Sequence, residues 1–558
     1  MSHYRRIFLG LLLLWPLPGR AAEANLILKN GRVWTADPAN PWAEAIAIRG
    51  NRILAAGGNQ EVAALAGPNA QVIDLGGRLT IPGFNDAHVH FLSGSLRLGE
   101  LDLDGACSAV EIQKRLQQFG AAHPNDPWII GFGWEHSCFS GGALPSREDL
   151  DAAVKDRPVF LGSSDDRAAC VNTRALQLAG ITNRTKVAGA GQIAIDAKTG
   201  EPSGCLTDSA IGLVRRIIPD GGHEKKIAAL EQGLKLAASL GITSFEDGGG
   251  DAETVSLFDD LARQHKLTAR VEIAMAMMPQ TNPEAIDHFL DLKEEYHNSL
   301  LHVGSVDFVL DGTVESHSAS LLEPYSDLPG NAGHLAWSSE AFGTLVSLCD
   351  SVGLQVIAEA HGDRAVRMAI DAYENARKVN GIHDSRFRIE RTELVASADL
   401  PRLARLGVIA PVRPIPVDAG ALDRWNKAVG AQRLNYSFPW RSLRQAGVRL
   451  AFSSDWPATT LDPIRGIYNT VTRETTDGKP VGGWTPEQRI SVDTALRAYT
   501  INGAYASFEE RQKGELKAGR LADIVVLSQN LFTADLANLW KAKVDITIFD
   551  GKAIFNRQ

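Results

Sequence analysis

Two histidines one residue apart, His88 and His90, stand out as residues whose type and spacing could do chemistry. They end the apolar stretch "IPGFNDAHVHF" at residues 81–91. Side chains two positions apart in a β-strand point to the same face, so both imidazoles would face one point in space. A shared metal ion is one interpretation. A buried histidine pair with ordinary hydrogen bonds is the other, and the pair by itself does not decide between them.

The elements around this pair indicate a barrel of alternating strands and helices. Further strand-like apolar runs lie at residues 241–249, 268–277, 302–312, 353–362, 386–394, 407–414 and 448–457. Helical segments such as "AVRMAIDAYENARKV" separate several of them. Together with the strand that carries the histidines, this makes eight strand-then-helix units, the pattern of a TIM barrel. The sequence therefore predicts an α/β fold with a (β/α)8 barrel over residues 81–510.

The rest of the chain predicts two smaller units. Residues 25–80 alternate apolar and polar positions and contain Asn-Gly and Gly-Gly pairs, which favour hairpins, and residues 511–558 repeat the apolar strand-like runs. We expect one small β-sandwich built from both termini. The interval between the first two barrel strands, about residues 92–240, is far longer than a crossover needs. We therefore expect it to hold an inserted subdomain.

The first 24 residues have the layout of a secretory signal peptide. Arg5 and Arg6 precede an apolar core at residues 7–17, and small residues follow. The core is too short to span a bilayer, although an uncleaved anchor is the alternative. We expect a periplasmic or secreted protein whose mature chain begins between Ala22 and Asn25, with no membrane attachment after signal removal.

Composition narrows the class of partner. The chain has 44% hydrophobic and 22% charged residues, a net charge of −9 and a pI of about 5.9. It contains no run of lysines and arginines. These values are typical of a globular protein and argue against binding to nucleic acid or to an anionic membrane. A small-molecule substrate is the expected partner.

Four of the five cysteines lie in the region of the predicted insertion, namely Cys107, Cys138, Cys170 and Cys205. Four cysteines allow three pairings, and the sequence does not choose among them. Free buried thiols that pack as small apolar side chains are an equal alternative. The pairing therefore stays open at this point.

Seven motifs occur in order along the chain: "PGFNDAHVHF", "TGEPSGCLTDSA", "GITSFEDGG", "DGTVESHSASLLEPY", "HGDRAV", "FSSDWP" and "GELKAGRLADIVVL". With these motifs, residues 26–558 resemble the amidohydrolase superfamily, in the branch that contains N-substituted formamide deformylases. The resemblance implies a metal-dependent (β/α)8 barrel that hydrolyses C–N, or sometimes C–O, bonds of small molecules. It does not identify the substrate, because function depends on the site and not on the fold.

The resemblance also implies roles for individual residues. His88 and His90 match the family's metal-binding pair on the first strand, and Asp455 matches its catalytic base on the eighth. Metal-assisted hydrolysis needs an ion that acidifies water and polarises a carbonyl group, and a base that takes the water's proton. These three residues would supply both parts.

Three other ligand positions depart from the family pattern. Asp307 stands where a carbamylated lysine is expected, and Arg391 stands where a histidine is expected. Glu359 also replaces a histidine, and His361 lies two residues further along the same face. An aspartate cannot be carbamylated, and an arginine stays protonated and cannot bind a metal.

A charge count favours a single ion at this altered site. Asp307, Glu359 and Asp455 contribute −3 and Arg391 contributes +1, which leaves −2. One divalent ion neutralises this charge, whereas two ions and an arginine would repel one another. We therefore expect at most one divalent ion, with zinc as the expected metal and His88, His90, Glu359, His361 and Asp307 as candidate ligands. Arg391 would occupy the place of the second ion and form a salt bridge with Asp307 or Glu359.

Three residues are candidates for substrate binding. They are Trp134 in "GFGWEH", His317 on the loop after the fourth strand, and Trp456 beside the predicted base. For each tryptophan the alternative is a place in the hydrophobic core, and for His317 it is an ordinary surface position.

Two further interpretations remain open. The departures from the family pattern could mark a catalytically degenerate barrel with a ligand-binding or regulatory role, in which ion pairs replace the metal. Alternatively, a metal-free enzyme could use Asp455 and Arg391 directly. Metal content separates these interpretations from the metal-dependent hydrolase.

Overall fold

The centre of the protein is a barrel sheet of eight parallel strands. The structure is a computed structural model that describes residues 23–557, except 135–138, 140–143, 165–166, 188–190 and 416–418. Most of the predicted signal peptide lies outside the described residues. The barrel strands, numbered β1 to β8 in chain order, are Phe84–Val89, Ile242–Gly250, Arg270–Met277, Leu301–Val309, Gln355–Ala360, Arg388–Arg391, Ile409–Val412 and Arg449–Phe452.

Backbone hydrogen bonds join the last strand of this barrel to the first. The amide of Asp455 donates to the carbonyl oxygen of His88 at 3.0 Å, and the amide of His90 donates to that of Trp456 at 2.8 Å. The segment after β8 is thereby held against the end of β1. The predicted α/β fold with a (β/α)8 barrel is confirmed.

Helices cover the outside of the barrel. The helix that follows β5 is Asp363–Asn380. It buries Val366, Ile370 and Tyr373, which recur at helical spacing, against the sheet. Gly381, at a φ of 85°, ends it. The other barrel helices are Phe91–Arg97, Gly222–Ser239, Ala252–Arg263, Ala285–Glu295, Ser339–Ser351, Leu400–Leu406, Ala419–Val429, Trp440–Ala446, Pro463–Thr472, Val492–Ala498 and Ile501–Ala506. In the part of the chain that the structure covers, no helix has the length and apolar character needed to cross a membrane.

A β-sandwich contains strands from both ends of the chain. One sheet has the order Arg52–Gly57, Ala45–Arg49, Ala24–Lys29 and Ala66–Asp74. The other has the order Lys552–Asn556, Val544–Phe549, Ile524–Leu527, Leu79–Pro82, Arg32–Trp34 and Trp42–Ala43. Alternate apolar residues of the two sheets, such as Leu28, Ile48 and Val526, form their shared core. The short helix Asn59–Ala63 packs on the first sheet.

The inserted subdomain has its own sheet between β1 and β2. Its strands are, in spatial order, Gln192–Ile195, Pro202–Thr207, Ala168–Val171, Val159–Ser163, Ile129–Trp134 and Leu101–Asp102. Helices Ala109–Ala122, Arg147–Ala153, Thr173–Leu178 and Gly212–Arg215 accompany it. Helix Gly222–Ser239, at the end of the predicted insertion (92–240), instead packs Leu230 and Leu234 into the barrel core.

The cysteines of the subdomain are in different states. Cys107 is disulfide-bonded. Cys170 and Cys205 are free buried thiols, as is Cys349 in the barrel. Cys138 lies outside the described residues.

Arg388 is the counterion of two carboxyl groups inside the barrel. It is fully buried on β6, its Nη1 contacts Glu246 on β2, and its Nη2 lies 2.8 Å from Glu390. Burial raises the pKa of both glutamates to about 8, and the guanidinium opposes that rise. The interior of the barrel therefore contains two buried carboxyl groups whose ionised form Arg388 stabilises.

Replacing Arg388 with methionine should destabilise the fold by about 3–5 kcal/mol, because it leaves Glu246 and Glu390 buried without their partner. Both carboxyl groups have folded pKa values above their unfolded ones, so their contribution to stability falls as pH rises above the unfolded value. Losing the arginine raises the folded values further, so the deficit should stay nearly constant between pH 5 and pH 7 and grow as pH rises through about 8, where the glutamates of the natural protein ionise and those of the variant stay protonated. Urea unfolding at several pH values measures this, with the exposed Arg263→Met as the matched control. An equal effect of both substitutions would contradict it.

Candidate metal centre

His88, His90 and Asp455 lie together where β1 and β8 end. His90 Nε2 is 3.6 Å from Asp455 Oδ1, and the two imidazole rings are perpendicular with centroids 5.1 Å apart. One ligand atom from each of the three residues lies within 4.8 Å of the others. The two-residue period of a β-strand predicted that both histidines lie on one face. In the structure their imidazole rings do lie next to each other, beside Asp455.

Contacts from the neighbouring strand set the orientation of both rings. The Nδ1–H of His90 donates to the carbonyl oxygen of Gly248 on β2 at 3.1 Å, which leaves Nε2 facing Asp455. Burial, with the nearby charges of His90 and Arg391, holds the pKa of His88 well below its usual value. His88 is therefore neutral, which is the form that binds a metal.

A second ligand group shares His88 with the first. Asp307 on β4 and Glu359 on β5 each place a carboxylate oxygen within 4.8 Å of the His88 ligand atom and of one another. The distance from His88 Nε2 to Glu359 Oε1 is 3.6 Å. Burial and the negative charge of Glu359 hold the pKa of Asp307 well above its usual range. Two carboxyl groups this close are a favourable environment for a cation.

Arg391 lies between the two ligand groups. Its Nη1 contacts Asp455 Oδ2, and its Nη2 is 3.5 Å from Glu359 Oε2. The salt bridge with Glu359 is the one expected from the sequence. Arg391 and Asp455 have φ angles of 72° and 57°, in the left-handed region that non-glycine residues rarely adopt. Such backbone strain is typical of functional sites, where the surrounding structure holds it in place.

The buried polar atoms of this cluster are of the kind that binds a divalent cation. Among the described residues, His88 Nε2, Asp307 Oδ1 and Asp455 Oδ1 are buried without a hydrogen-bond partner. Each belongs to a residue that can bind a metal, and a cation at either ligand group would compensate the unpartnered atoms of that group. Imidazole nitrogens and carboxylate oxygens are donors that zinc accepts, as do several other divalent metals. Arg391 supplies a positive charge between Asp455 and Glu359.

His361 does not belong to either ligand group. Its Nδ1 is 3.5 Å from Asp311 Oδ1, and its backbone amide donates to the same oxygen at 2.9 Å. Strand β5 ends at Ala360, so the regular alternation that would have turned His361 inward stops before it. The structure therefore does not support His361 as a metal ligand.

Each of the three candidates for substrate binding has a packing or hydrogen-bond partner within the protein. Trp134 is fully buried in the subdomain core, and its indole Nε1–H donates to the carbonyl oxygen of Leu161 at 2.9 Å, so it is a core residue. Trp456 packs on Phe91, in the helix that follows His90, with ring centroids 5.5 Å apart. His317 Nε2 lies 2.9 Å from Asp327 Oδ1.

Several residues that organise the centre were missed from the sequence. Asp86 accepts from the Ser454 amide at 2.8 Å, and Asp247 accepts from the Phe91 amide at 2.8 Å. Burial raises the pKa of both carboxyl groups to about 7. Arg413, at the end of β7, pairs with Glu393 at 2.8 Å and approaches Asp455 at 3.8 Å. In the sequence, the feature that could have indicated these residues is a charged side chain near the end of an apolar strand-like run.

Replacing Gly248 with alanine should weaken metal binding about 10- to 100-fold, because the residue contacts both histidines that are candidate ligands. An added Cβ would lie 2.3 Å from His88 Cε1 and would displace that ring. Metal content after dialysis against a graded chelator series measures the effect. Gly343→Ala is the matched control, since no heavy atom lies within 4 Å of its added Cβ. Equal metal retention by both variants would show that Gly248 does not position the ligands.

Comparisons with known proteins show the family to which the chain belongs. A family model described as "Amidohydrolase family" matches residues 71–555. The chain belongs to the amidohydrolase family. This family member is 32% identical over 552 residues to Protein LONG AFTER FAR-RED 3 of Arabidopsis thaliana, covering 96% of this chain and 93% of that one.

Two other relatives of this amidohydrolase match along almost their whole length. It is 25% identical to an N-substituted formamide deformylase of Arthrobacter pascens, over 96% of this chain and 98% of the relative. The crystal structure of an uncharacterized metal-dependent hydrolase from Pyrococcus furiosus superposes with a TM-score of 0.74 and 26% identity, covering 91% of this chain and all of that one. The predicted resemblance to the amidohydrolase superfamily is confirmed.

Proposed function

We propose that this amidohydrolase hydrolyses a C–N bond in a small amide or formamide, with one divalent ion at the cluster of His88, His90 and the nearby carboxylates. The observation that carries the proposal is that two groups of potential ligands, His88–His90–Asp455 and His88–Asp307–Glu359, share His88 at the C-terminal end of the barrel. The deformylase relative supports the class of bond. Zinc is the metal we expect there.

Each residue of the centre has a distinct part in this proposal. His88 and His90, with Glu359 and Asp307, would hold the ion, which when bound acidifies water and polarises a carbonyl group. Arg391 holds one oxygen of Asp455 and leaves Oδ1 without a hydrogen bond. Oδ1 is therefore the atom that accepts the proton of the attacking water and passes it to the leaving nitrogen.

A regulatory or ligand-binding role without catalysis is the second candidate. It is favoured by Arg391, which already neutralises Asp455 and Glu359 as an ion-pair network would in a degenerate site. Under this candidate the purified protein holds no stoichiometric ion and does not turn over amides.

Elemental analysis of the purified protein, paired with a hydrolysis panel of amides, formamides and lactones, tests the proposal. We expect one divalent ion per chain and hydrolysis of an amide or formamide that stops after chelation and returns with zinc. His88→Ala should lose both ion and activity, while the exposed His265→Ala should keep both. A protein without an ion and without activity towards any member of the panel would favour the regulatory candidate.

Export is a separate proposal. We propose that the protein is periplasmic or secreted, with a mature chain that begins between Ala22 and Asn25. The arginine, apolar and small-residue order of the first 24 residues supports it. Intact-mass measurement of the protein recovered from the exported fraction should show the shortened chain, whereas an intact Met1 would contradict it.

A further inference from the structure

Cys170 and Cys205 face each other across two strands of the inserted subdomain. They are directly opposite in the antiparallel ladder between strands Ala168–Val171 and Pro202–Thr207. Their sulfur atoms are 3.8 Å apart, and both residues are buried free thiols. This pair plays no part in the candidate metal centre, so the short distance between the two sulfur atoms needs a separate explanation.

The environment of the pair makes one sulfur the better nucleophile. A hydrogen bond with Cys170 lowers the pKa of the Cys205 thiol, although burial opposes that shift. The thiolate is the reactive form of a cysteine in thiol–disulfide exchange. Cys170 is the more buried of the two, and the same hydrogen bond raises the pKa of its thiol. Cys205 is therefore the sulfur that would attack an oxidant first.

We propose that Cys170 and Cys205 are a redox-active pair that forms a reversible disulfide across the two strands. The oxidant is a small or protein disulfide. The Cys205 thiolate attacks one of its sulfurs, forms a mixed disulfide and releases the first thiol. The deprotonated Cys170 then attacks the Cys205 sulfur and releases the second thiol. In total, two cysteine thiols are oxidised and one disulfide is reduced to two thiols.

The bond is expected to be reducible rather than permanent. Residues directly opposite in an antiparallel pair have Cβ atoms about 4.5–5.5 Å apart. A relaxed disulfide needs about 3.5–4.5 Å, so closing the bond draws the strands together against the sheet geometry. Strained disulfides have higher reduction potentials and are the labile ones.

The cross-link would lie beside the contact between the subdomain and the barrel. Arg167, three residues before Cys170, donates through Nη2 to Ser316 at 2.6 Å and Ser318 at 3.1 Å, on the loop after β4. Its Nη1 pairs at 3.2 Å with Asp208, which follows the strand of Cys205. A disulfide between the cysteines would cross-link strands Ala168–Val171 and Pro202–Thr207, which Arg167 and Asp208 adjoin. The cross-link should make the subdomain more resistant to limited proteolysis.

Peptide mapping of the folded full-length protein after treatment with glutathione disulfide tests the proposal. We expect a disulfide-linked peptide pair that contains Cys170 and Cys205, which dithiothreitol separates again. Cys349→Ala should form the same link, because this third free thiol lies in the barrel. Cys170→Ser should leave only a mixed disulfide between Cys205 and glutathione, whereas Cys205→Ser should leave Cys170 unmodified. Both variants should lose the added protease resistance of the oxidised form.

Two results would overturn the proposal. One is that both cysteines of the folded natural chain are recovered unlinked after oxidation, either free or each joined to glutathione. The other is that either cysteine is linked to a different cysteine. Because the mapping uses the natural chain, neither result depends on whether the serine variants fold.

Discussion

Replacing Asp455 with asparagine should lower kcat for the amide substrate by about two to four orders of magnitude, because it removes the proton acceptor of the reaction. Asparagine has almost the same shape, and its carbonyl oxygen can still accept a hydrogen bond from Arg391. Its amide cannot take a proton from water at neutral pH. The loss should therefore appear in kcat, with a small change in KM.

Steady-state kinetics on an amide from the hydrolysis panel measures this effect, and metal content must be measured in parallel. The exposed Asp477→Asn, which alters a carboxylate on a surface loop, is the matched control and should leave kcat unchanged. If Asp455→Asn holds its ion and keeps its kcat, the base is another residue. Loss of the ion as well would show that Asp455 is a ligand and not only a base.

Replacing Arg391 with histidine should raise the number of divalent ions bound per chain from one towards two. The substitution removes a fixed positive charge from between Asp455 and Glu359 and provides a neutral ligand in its place. Because Coulomb repulsion between the arginine and a second ion is lost, the carboxylates become available to that ion. Elemental analysis after equilibration with zinc gives the stoichiometry.

Arg391→Met separates the effect of charge from the effect of the new ligand. It removes the guanidinium but adds no imidazole, so it should bind fewer ions than Arg391→His at the same zinc concentration. Equal stoichiometry in the natural protein and Arg391→His would show that the arginine does not exclude a second ion. Two ions in the natural protein would contradict the single-ion site directly.

The architecture of the barrel was predictable because it depends on local periodicity. Each strand appears in the sequence as a short apolar run, and each helix as an amphipathic segment such as Asp363–Asn380. The period of two also placed His88 and His90 on one face. The helix Gly222–Ser239 was harder to place, since its amphipathic pattern does not tell whether it packs on the barrel or on the inserted sheet.

The details of the site depend on where the regular elements end. His361 and Glu359 share a predicted face, yet β5 ends between them and His361 turns to Asp311. Arg391 has a left-handed backbone conformation at the end of β6, where strand alternation no longer fixes the direction of a side chain. Its position between Glu359 and Asp455 comes from contacts across several strands.

By itself the sequence determined the eight strand-and-helix units and the pair of histidines on one face, because each is a property of residue type and short-range spacing. The tertiary structure alone decided that Trp134 belongs to a subdomain core and that Arg391 joins two carboxylates. It also decided that Cys170 and Cys205 meet across a sheet. These relations join residues up to 64 positions apart, and only the closure of the barrel and the pairing of the inserted strands bring such residues within bonding distance.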